Sequence, residues 1–270
     1  MLLIPWFKLE PISIALPYGI ALKLQPFGVL AAIAMLVSAR LGARRATQLE
    51  LAPKLFSDFL TCVTAIGIVS AYVLNIVMYA PDELRAIAMQ PSRLLERWYG
   101  LSSYGGFIGG ALTAWWFARR RQVALLALGD AWCFGFPFGW IFARLGCFFV
   151  HDHPGLVSDF ALAVASYDGG PARHDLGLYE ALWSVPVALW FWFCSRKRQV
   201  PGFYLGCLLT LYGSSRFALD FLRADAFSGG DIRYAGLTPA QYLSLLVTLT
   251  GAALLTHLRM SQLQRERAPH

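Results

Sequence analysis

The chain has 270 residues, is 57% hydrophobic and carries only 14% charged side chains. Water-soluble domains average about 45–50% apolar and about 25% charged residues, so this composition excludes an ordinary soluble globule and points to an integral membrane protein. The net charge of +7 sits in short basic runs between apolar stretches; this reads as topology signalling and argues against a nucleic-acid partner.

The N-terminus, MLLIPWFKLEPISIALPYG, lacks a basic region ahead of its apolar run and is broken by Lys8, Glu10 and Pro11, so it does not read as a cleavable secretory signal. Seven stretches then approach the roughly 20 apolar residues that a helix needs to cross the hydrocarbon core. They are Gly19–Val37, Phe59–Tyr79, Leu101–Phe117, Val123–Val150, Tyr179–Cys194, Gly202–Leu222 and Pro239–His257. Gly135, Pro137 and Gly139 make a kink or tilt plausible in the fourth. Thirteen Lys and Arg residues follow the odd-numbered spans and eight lie on the opposite side. The positive-inside rule then places the N-terminus outside and the C-terminus in the cytoplasm. The expected fold is an all-α, polytopic membrane protein forming a single catalytic domain over 1–270. Its longer outer loops fall near 80–100, 151–178 and 223–238, and loops longer than about 12–15 residues are often functional.

Several ionisable residues stand where lipid would be. Arg144 lies near the outer end of the fourth span, and Arg216 and Asp220 near that of the sixth; Asp130 lies nearer the inner end of the fourth. A charge at the bilayer centre costs about 2.5–3.5 kcal/mol on insertion scales. One reading is that arginines at the interface, Arg223 above all, snorkel to the headgroups. The spacing of Tyr212, Arg216, Asp220 and Arg223 favours another, since they share one helical face. Such a stripe should face the bundle interior, with Asp220 pairing to both arginines. Guanidinium forks match phosphate oxygens, and a phospholipid headgroup is the phosphate at that depth. Asp130 is too far along its helix to reach Arg144 and reads as a carboxylate tied to a neighbouring helix. In LSSYGGFIGG, Gly106 and Gly110 have the small-xxx-small spacing of close helix packing, while Ser102, Ser103 and Tyr104 should lie at the outer mouth near the arginines.

The loop after the fourth span holds His151, Asp152, His153 and His174. Solvated histidines, a metal site and general acid–base chemistry are all open for this set. The cysteines, Cys62, Cys133, Cys147, Cys194 and Cys207, show no paired spacing and read as apolar fillers.

Taken in order, these segments resemble the prolipoprotein diacylglyceryl transferases, bacterial inner-membrane enzymes that begin lipoprotein maturation. The family signature G-R-x-G-[NC]-F-x-N-G-x-x-x-G is matched by Arg144, Gly146, Cys147, Phe148 and Gly155 in ARLGCFFVHDHPG. SYGGFIGG resembles H-G-G-x-x-G. ARHDLGLYEAL resembles R-H-P-x-x-L-Y-E, keeping Arg173, His174, Leu178, Tyr179 and Glu180. LYGSSRFALDFLR resembles Y-G-x-x-R-x-x-x-E-x-x-R, with Asp220 for glutamate. QPFGVL and GLTPAQYLS resemble the starts of the first and last spans, with Phe27 where tyrosine is usual.

The resemblance implies transfer of diacylglyceryl from phosphatidylglycerol to the lipobox cysteine of a preprolipoprotein, without a metal or organic cofactor, in the multi-pass setting of the inner membrane. It implies that Arg144 and Arg216 bind and stabilise the phosphate, that Tyr212 and Asp220 orient Arg216, and that Arg223, Phe27 and Gly155 help bind the phospholipid. The chain departs from the family at three further places: Tyr104 replaces a histidine that is a candidate base, Val150 replaces the signature asparagine, and His151 replaces a glycine. Tyr104, His151 and His153 are thus the candidate proton-handling residues. A catalytically altered phospholipid-binding relative and a transporter of anionic solutes are the alternatives.

Overall fold

Proline opens three of the long helices, where its missing N–H costs nothing and its fixed φ suits the first turn. In the computed structural model, which describes residues 3–7, 9–15, 21–79, 83–96, 101–224 and 233–267, these are α1 (Pro26–Gln48), α2 (Pro53–Tyr79) and α9 (Pro239–Arg267). Between them lie the short α3 (Glu83–Met89) and α4 (Arg93–Glu96), then α5 (Ser103–Arg121), α6 (Leu125–Val150), α7 (Leu176–Cys194) and α8 (Phe203–Leu219), the last continued by a 3-10 turn over Asp220–Leu222. Lys8 and the side chains of Ser103 and Tyr104, all used in the expectations above, lie outside the described residues.

Among the described residues, five helices are long and apolar enough to cross a membrane: α1, α2, α6, α7 and α9. The other two expected spans are marginal, because α8 has 17 residues and α5 ends in three consecutive arginines. The fourth expected span is one unbroken helix through Pro137. Two elements depart from an all-helical reading. Strands β1 (Ile12–Ala15) and β2 (Ala21–Leu24) form an antiparallel pair with Ile12 opposite Leu24, so the first helix starts at Pro26 and not at Gly19. Pro26 holds its predecessor in extended geometry, which places the strand-to-helix break there. Strands β3 (Pro154–Val157) and β4 (Arg173–Asp175) form a second antiparallel pair in the loop after α6.

The chain divides into two compact units, Met1–Gly42 with Asp130–His270, and Ala43–Gly129. In the smaller unit α2 packs on α5. A methyl group on Gly105 would meet the Ser70 carbonyl and Ala71, and one on Gly109 would strike Ser70. The tight glycine pair is therefore Gly105 and Gly109, one residue before the expected Gly106 and Gly110. The spacing is the same, but only this register turns the bare backbones toward α2.

The larger unit uses the same device twice. Gly135 and Gly139 of α6 lie against Ser38 and Ala34 of α1, and Gly206, Gly213 and Gly251 bring α8 and α9 together. Phe134, Phe191 and Tyr204 interlock α6, α7 and α8 through one stacked, one edge-to-face and one tilted ring pair, joined by Cys133, Val187, Cys207 and Leu208. Asp130 completes this end. Its carboxylate accepts the amides of Tyr204 and Leu205 at 2.6 and 3.3 Å, supplying the cap that Gly202, at the start of α8, lacks. This is the tie to a neighbouring helix that its position implied.

At the opposite end of α6 a second cluster forms from Phe148, Val164 and Leu178, covered by Ile4, Trp6 and Phe7. Ile4 exchanges backbone hydrogen bonds with Ala163 and Ala165. The N-terminal segment thus closes over the loop that carries the histidines.

Candidate active site

Three helices of the larger unit each contribute one ionic side chain to a single buried cluster at the C-terminal end of α6. Arg144 of α6 points its Nε at Glu180 Oε2 of α7, 2.8 Å away. Arg216 of α8 donates from Nη1 to the other oxygen, Glu180 Oε1, at 2.5 Å. Arg144 and Glu180 are 8% and 4% exposed, so one carboxylate divides itself between two guanidinium groups away from water. Each arginine still has unused N–H groups, since guanidinium carries five. Arg144 Nη1 donates to Cys147 Sγ at 3.7 Å, a weak acceptor.

Neighbouring groups hold this arrangement. Trp140, one turn before Arg144, places its ring 4.4 Å below the guanidinium carbon, a cation–π contact. Tyr212 packs edge-on to Trp140 and its hydroxyl hydrogen-bonds Arg144. Tyr212 also acts electrostatically on Arg216, the arginine it was expected to orient.

Asp220 is fully buried and lies 3.6 Å from Arg216 and 3.8 Å from Arg223, so the expected pairing with both arginines is present. Glu180 is nevertheless the nearer partner of Arg216. A capping box anchors Asp220: Gln241 N donates to Thr238 Oγ1 at 3.1 Å while Thr238 N donates to Gln241 Oε1 at 3.0 Å. The Thr238 hydroxyl donates to Asp220 Oδ2, and Arg233 donates to the Asp220 carbonyl at 3.2 Å. The start of α9 therefore fixes the end of α8.

The loop between α6 and α7 packs beside the cluster. His151 takes φ +50° directly after the helix, the left-handed region that favours glycine, which accounts for a glycine in the family signature here. Its Nδ1 lies 3.0 Å from Asp175 Oδ2 and its Nε2 lies 2.8 Å from the Phe7 carbonyl, so both ring nitrogens are engaged. Asp175 also caps α7 by accepting from Leu178 N at 3.0 Å; burial pushes its carboxyl up, against the opposing pull of His151 and Leu178. His153 Nδ1 lies 3.0 Å from Asp152 Oδ1. Burial alone would raise the Asp152 carboxyl, but the hydrogen bond and charge of His153 hold it below the usual range. His174 faces Tyr179 at 2.7 Å, and burial lowers its affinity for a proton.

Gly155 sits where a β-carbon would lie 2.6 Å from the Leu222 carbonyl and 2.7 Å from His174 Cβ. Its backbone bridges Arg223 in antiparallel fashion, and Arg173 donates to its carbonyl at 3.1 Å. Phe27 is half-exposed at the start of α1 and flanks Gly146, two residues from Arg144. Tyr104 belongs to the smaller unit, at the start of α5. Among the described residues, one group has ligand-type atoms close enough for a metal: Cys147, Asp152 and His153, all within 4.8 Å of one another. The Arg144 guanidinium beside that sulfur opposes a second cation.

Glu180 is the member of the cluster that the sequence reading passed over as a site residue, although it closes the matched segment ARHDLGLYEAL. A charged residue at the first turn of a predicted apolar span was the available signal.

Together the helices and this ionic cluster define a helical membrane protein with two guanidinium groups held at one end of its bundle. The chain belongs to the prolipoprotein diacylglyceryl transferase family, whose sequence model it matches over residues 13–257. It is 32% identical over 250 residues to the phosphatidylglycerol–prolipoprotein diacylglyceryl transferase of Chromohalobacter salexigens, covering 91% of each chain. It is 30% identical over 245 residues to the protein of that name from Nitratidesulfovibrio vulgaris, covering 88% of this chain and 89% of the other. The Pseudomonas aeruginosa protein of that name is 28% identical over 253 residues, covering 92% of this chain and 93% of the other.

Proposed function

We propose that this protein transfers the diacylglyceryl group of phosphatidylglycerol to the lipobox cysteine of preprolipoproteins, releasing glycerol-1-phosphate. Family membership over nearly the whole chain supports the reaction. The observation that carries the site is the sharing of Glu180 by Arg144 and Arg216. Three arginines, Arg144, Arg216 and Arg223, face two carboxylates, Glu180 and Asp220, there, so the cluster has room in charge and in donors for an anion. The phosphate of phosphatidylglycerol supplies that anion, and its oxygens replace the weak sulfur contact of Arg144 Nη1.

In the transfer, the cysteine sulfur bonds to the glyceryl carbon that carries the phosphate. The C–O bond breaks and its electron pair leaves on the phosphate oxygen. Arg144 and Arg216 stabilise that growing negative charge from fixed positions, as an anion hole does. Glu180 and Asp220 set the two arginines, Trp140 and Tyr212 support Arg144, and Arg223 extends the positive edge toward the loop. Phe27 flanks the site as an apolar contact for the acyl chains, and Gly155 lets the loop backbone approach Arg223. Tyr104, His151 and His153 remain the candidates for proton handling.

The protein works in the bacterial inner membrane with seven spans, α5 and α8 joining the five longer helices. Its N-terminus and the Arg144 end face outward, a reading that the excess of basic residues on the other side supports. Clustering of charge at one end of the bundle supports this reading over a transporter, whose site is expected near the midplane.

Complementation tests it. Cells depleted of their own transferase should be rescued by the intact chain and by neither Arg144→Ala nor Arg216→Ala at equal membrane abundance. Failure of the intact chain sinks the activity; rescue by both variants sinks the site.

A further inference from the structure

Resting on the transferase reading above, we propose that His153, oriented by Asp152, is the proton acceptor for the substrate thiol in this protein. Where the family signature has histidine at the start of the third span, this chain has Tyr104, and a phenol with a pKa near about 10 is a poor base at neutral pH. The loop carries three histidines; His174 faces the Tyr179 hydroxyl at 2.7 Å, and the other two differ in what their nitrogens can do. His151 spends both, on Asp175 and on the Phe7 carbonyl. A carbonyl only accepts, so Nε2 must keep its proton, and the ring cannot take another there without breaking the tie to the N-terminal segment.

His153 is arranged otherwise. Its Nδ1 lies 3.0 Å from Asp152 Oδ1 as an ion-pair contact; with the hydrogen on Nδ1 toward that carboxylate, the Nε2 lone pair is left to accept. No partner for Nε2 occurs among the described residues, and the side chain is 24% exposed. The imidazolium formed on accepting a proton is stabilised by the carboxylate behind it, the logic of a carboxylate-oriented histidine base. The dyad stands beside the arginine cluster. Asp152 hydrogen-bonds Cys147 and feels the charge of Arg144, and Cys147 receives Arg144 Nη1 at 3.7 Å. Glu180 and Asp175 lie within electrostatic reach of His153, and His151 is two residues away. Asp152 itself is the weaker base, because His153 holds its carboxyl below the ordinary range against the effect of burial.

The step balances. The thiol proton passes to His153 Nε2 as sulfur bonds to the glyceryl carbon. The C–O electron pair leaves on phosphate, and the imidazolium returns its proton to the glycerol phosphate or to water.

The test uses the full-length protein in vesicles containing phosphatidylglycerol, with a labelled lipobox peptide. Turnover and KM would be followed from about pH 6.5 to about pH 9.5, a range that brackets the imidazole and thiol values. His153→Asn keeps a hydrogen bond to Asp152 but cannot accept the proton. Its kcat should fall on the order of 10²-fold near neutral pH, with KM for phosphatidylglycerol unchanged. The deficit should shrink as the pH passes the thiol value near about 8.5, and added imidazole should restore part of the rate. Asp152→Asn, which leaves the ring in place, should give a smaller loss with the same pH dependence. A His153→Asn protein as fast as its parent at neutral pH overturns the assignment. So does a deficit equal at every pH and indifferent to imidazole, or, if that variant does not fold, an Asp152→Asn protein with an unaltered pH profile. An inactive parent instead refutes the transferase reading beneath it.

Discussion

Replacing Glu180 by glutamine probes the cluster at its centre. The substitution keeps the shape of the side chain and removes the charge that neutralises Arg144 and Arg216 at 2.8 and 2.5 Å. One carboxylate oxygen becomes an NH₂ group, which faces a guanidinium donor-to-donor, so at least one arginine loses its partner outright. Removing one member of a buried ion pair costs about 3–5 kcal/mol, chiefly because the remaining charge is left desolvated. Asp220, at 3.6 Å from Arg216, offsets part of that cost for Arg216; Arg144 keeps only the Tyr212 hydroxyl, the Trp140 face and the Cys147 sulfur. At roughly 2–4 °C per kcal/mol for a chain near this size, Tm should fall on the order of 10 °C. An anion that binds between the arginines would take over the missing charge. Phosphatidylglycerol should therefore raise the Tm of the variant more than that of the parent, and a zwitterionic lipid should not. Thermal unfolding in detergent, with each lipid titrated in, measures both effects. A loss below about 1 kcal/mol would place Glu180 with ordinary exposed ion pairs and refute the argument. An equal lipid shift in parent and variant would refute the claim that the arginines receive the phosphate.

Gly155→Ala should be poorly tolerated, since the new methyl meets the Leu222 carbonyl at 2.6 Å and the His174 backbone at 2.9 Å. A cost of about 1–3 kcal/mol is expected for such overpacking, together with weaker phosphatidylglycerol binding as the backbone at Arg223 moves; a thermal melt and a lipid-binding titration report the two separately. Asp130→Ala removes the acceptor of two amides at the start of α8 and should cost about 1–2 kcal/mol, as a lost helix cap does. Its affinity for phosphatidylglycerol should stay at the parent's value, because the cap lies at the far end of α8 from Arg216.

The spans were legible because lipid leaves a chain few choices. Backbone groups must bond within the segment, and the side chains must be apolar over some twenty residues, so composition announces each helix. Arg144, Arg216, Asp220 and Asp130 stood out for the same reason, being charges in oily surroundings. The stripe of Tyr212, Arg216, Asp220 and Arg223 was readable from helical periodicity, and the pairing of Asp220 with both arginines follows from it. The two short hairpins were not readable, since strands of three or four residues carry too little alternation to register.

What periodicity could not reach is any contact between different helices. Glu180 meets Arg216 from 36 residues away, and no spacing rule connects α7 to α8. Tyr212 shares a helix face with Arg216, yet its hydroxyl also meets Arg144 of another helix. The triplet His151-Asp152-His153 presents two equivalent imidazoles in sequence. Only the fold separates them, tying His151 between Asp175 and Phe7 and leaving His153 with Asp152. By itself the sequence determined which residues were too costly to be accidental in a membrane. The tertiary structure decided which of them neutralise one another, because a buried charge takes its meaning from the partner that packing brings within about 4 Å.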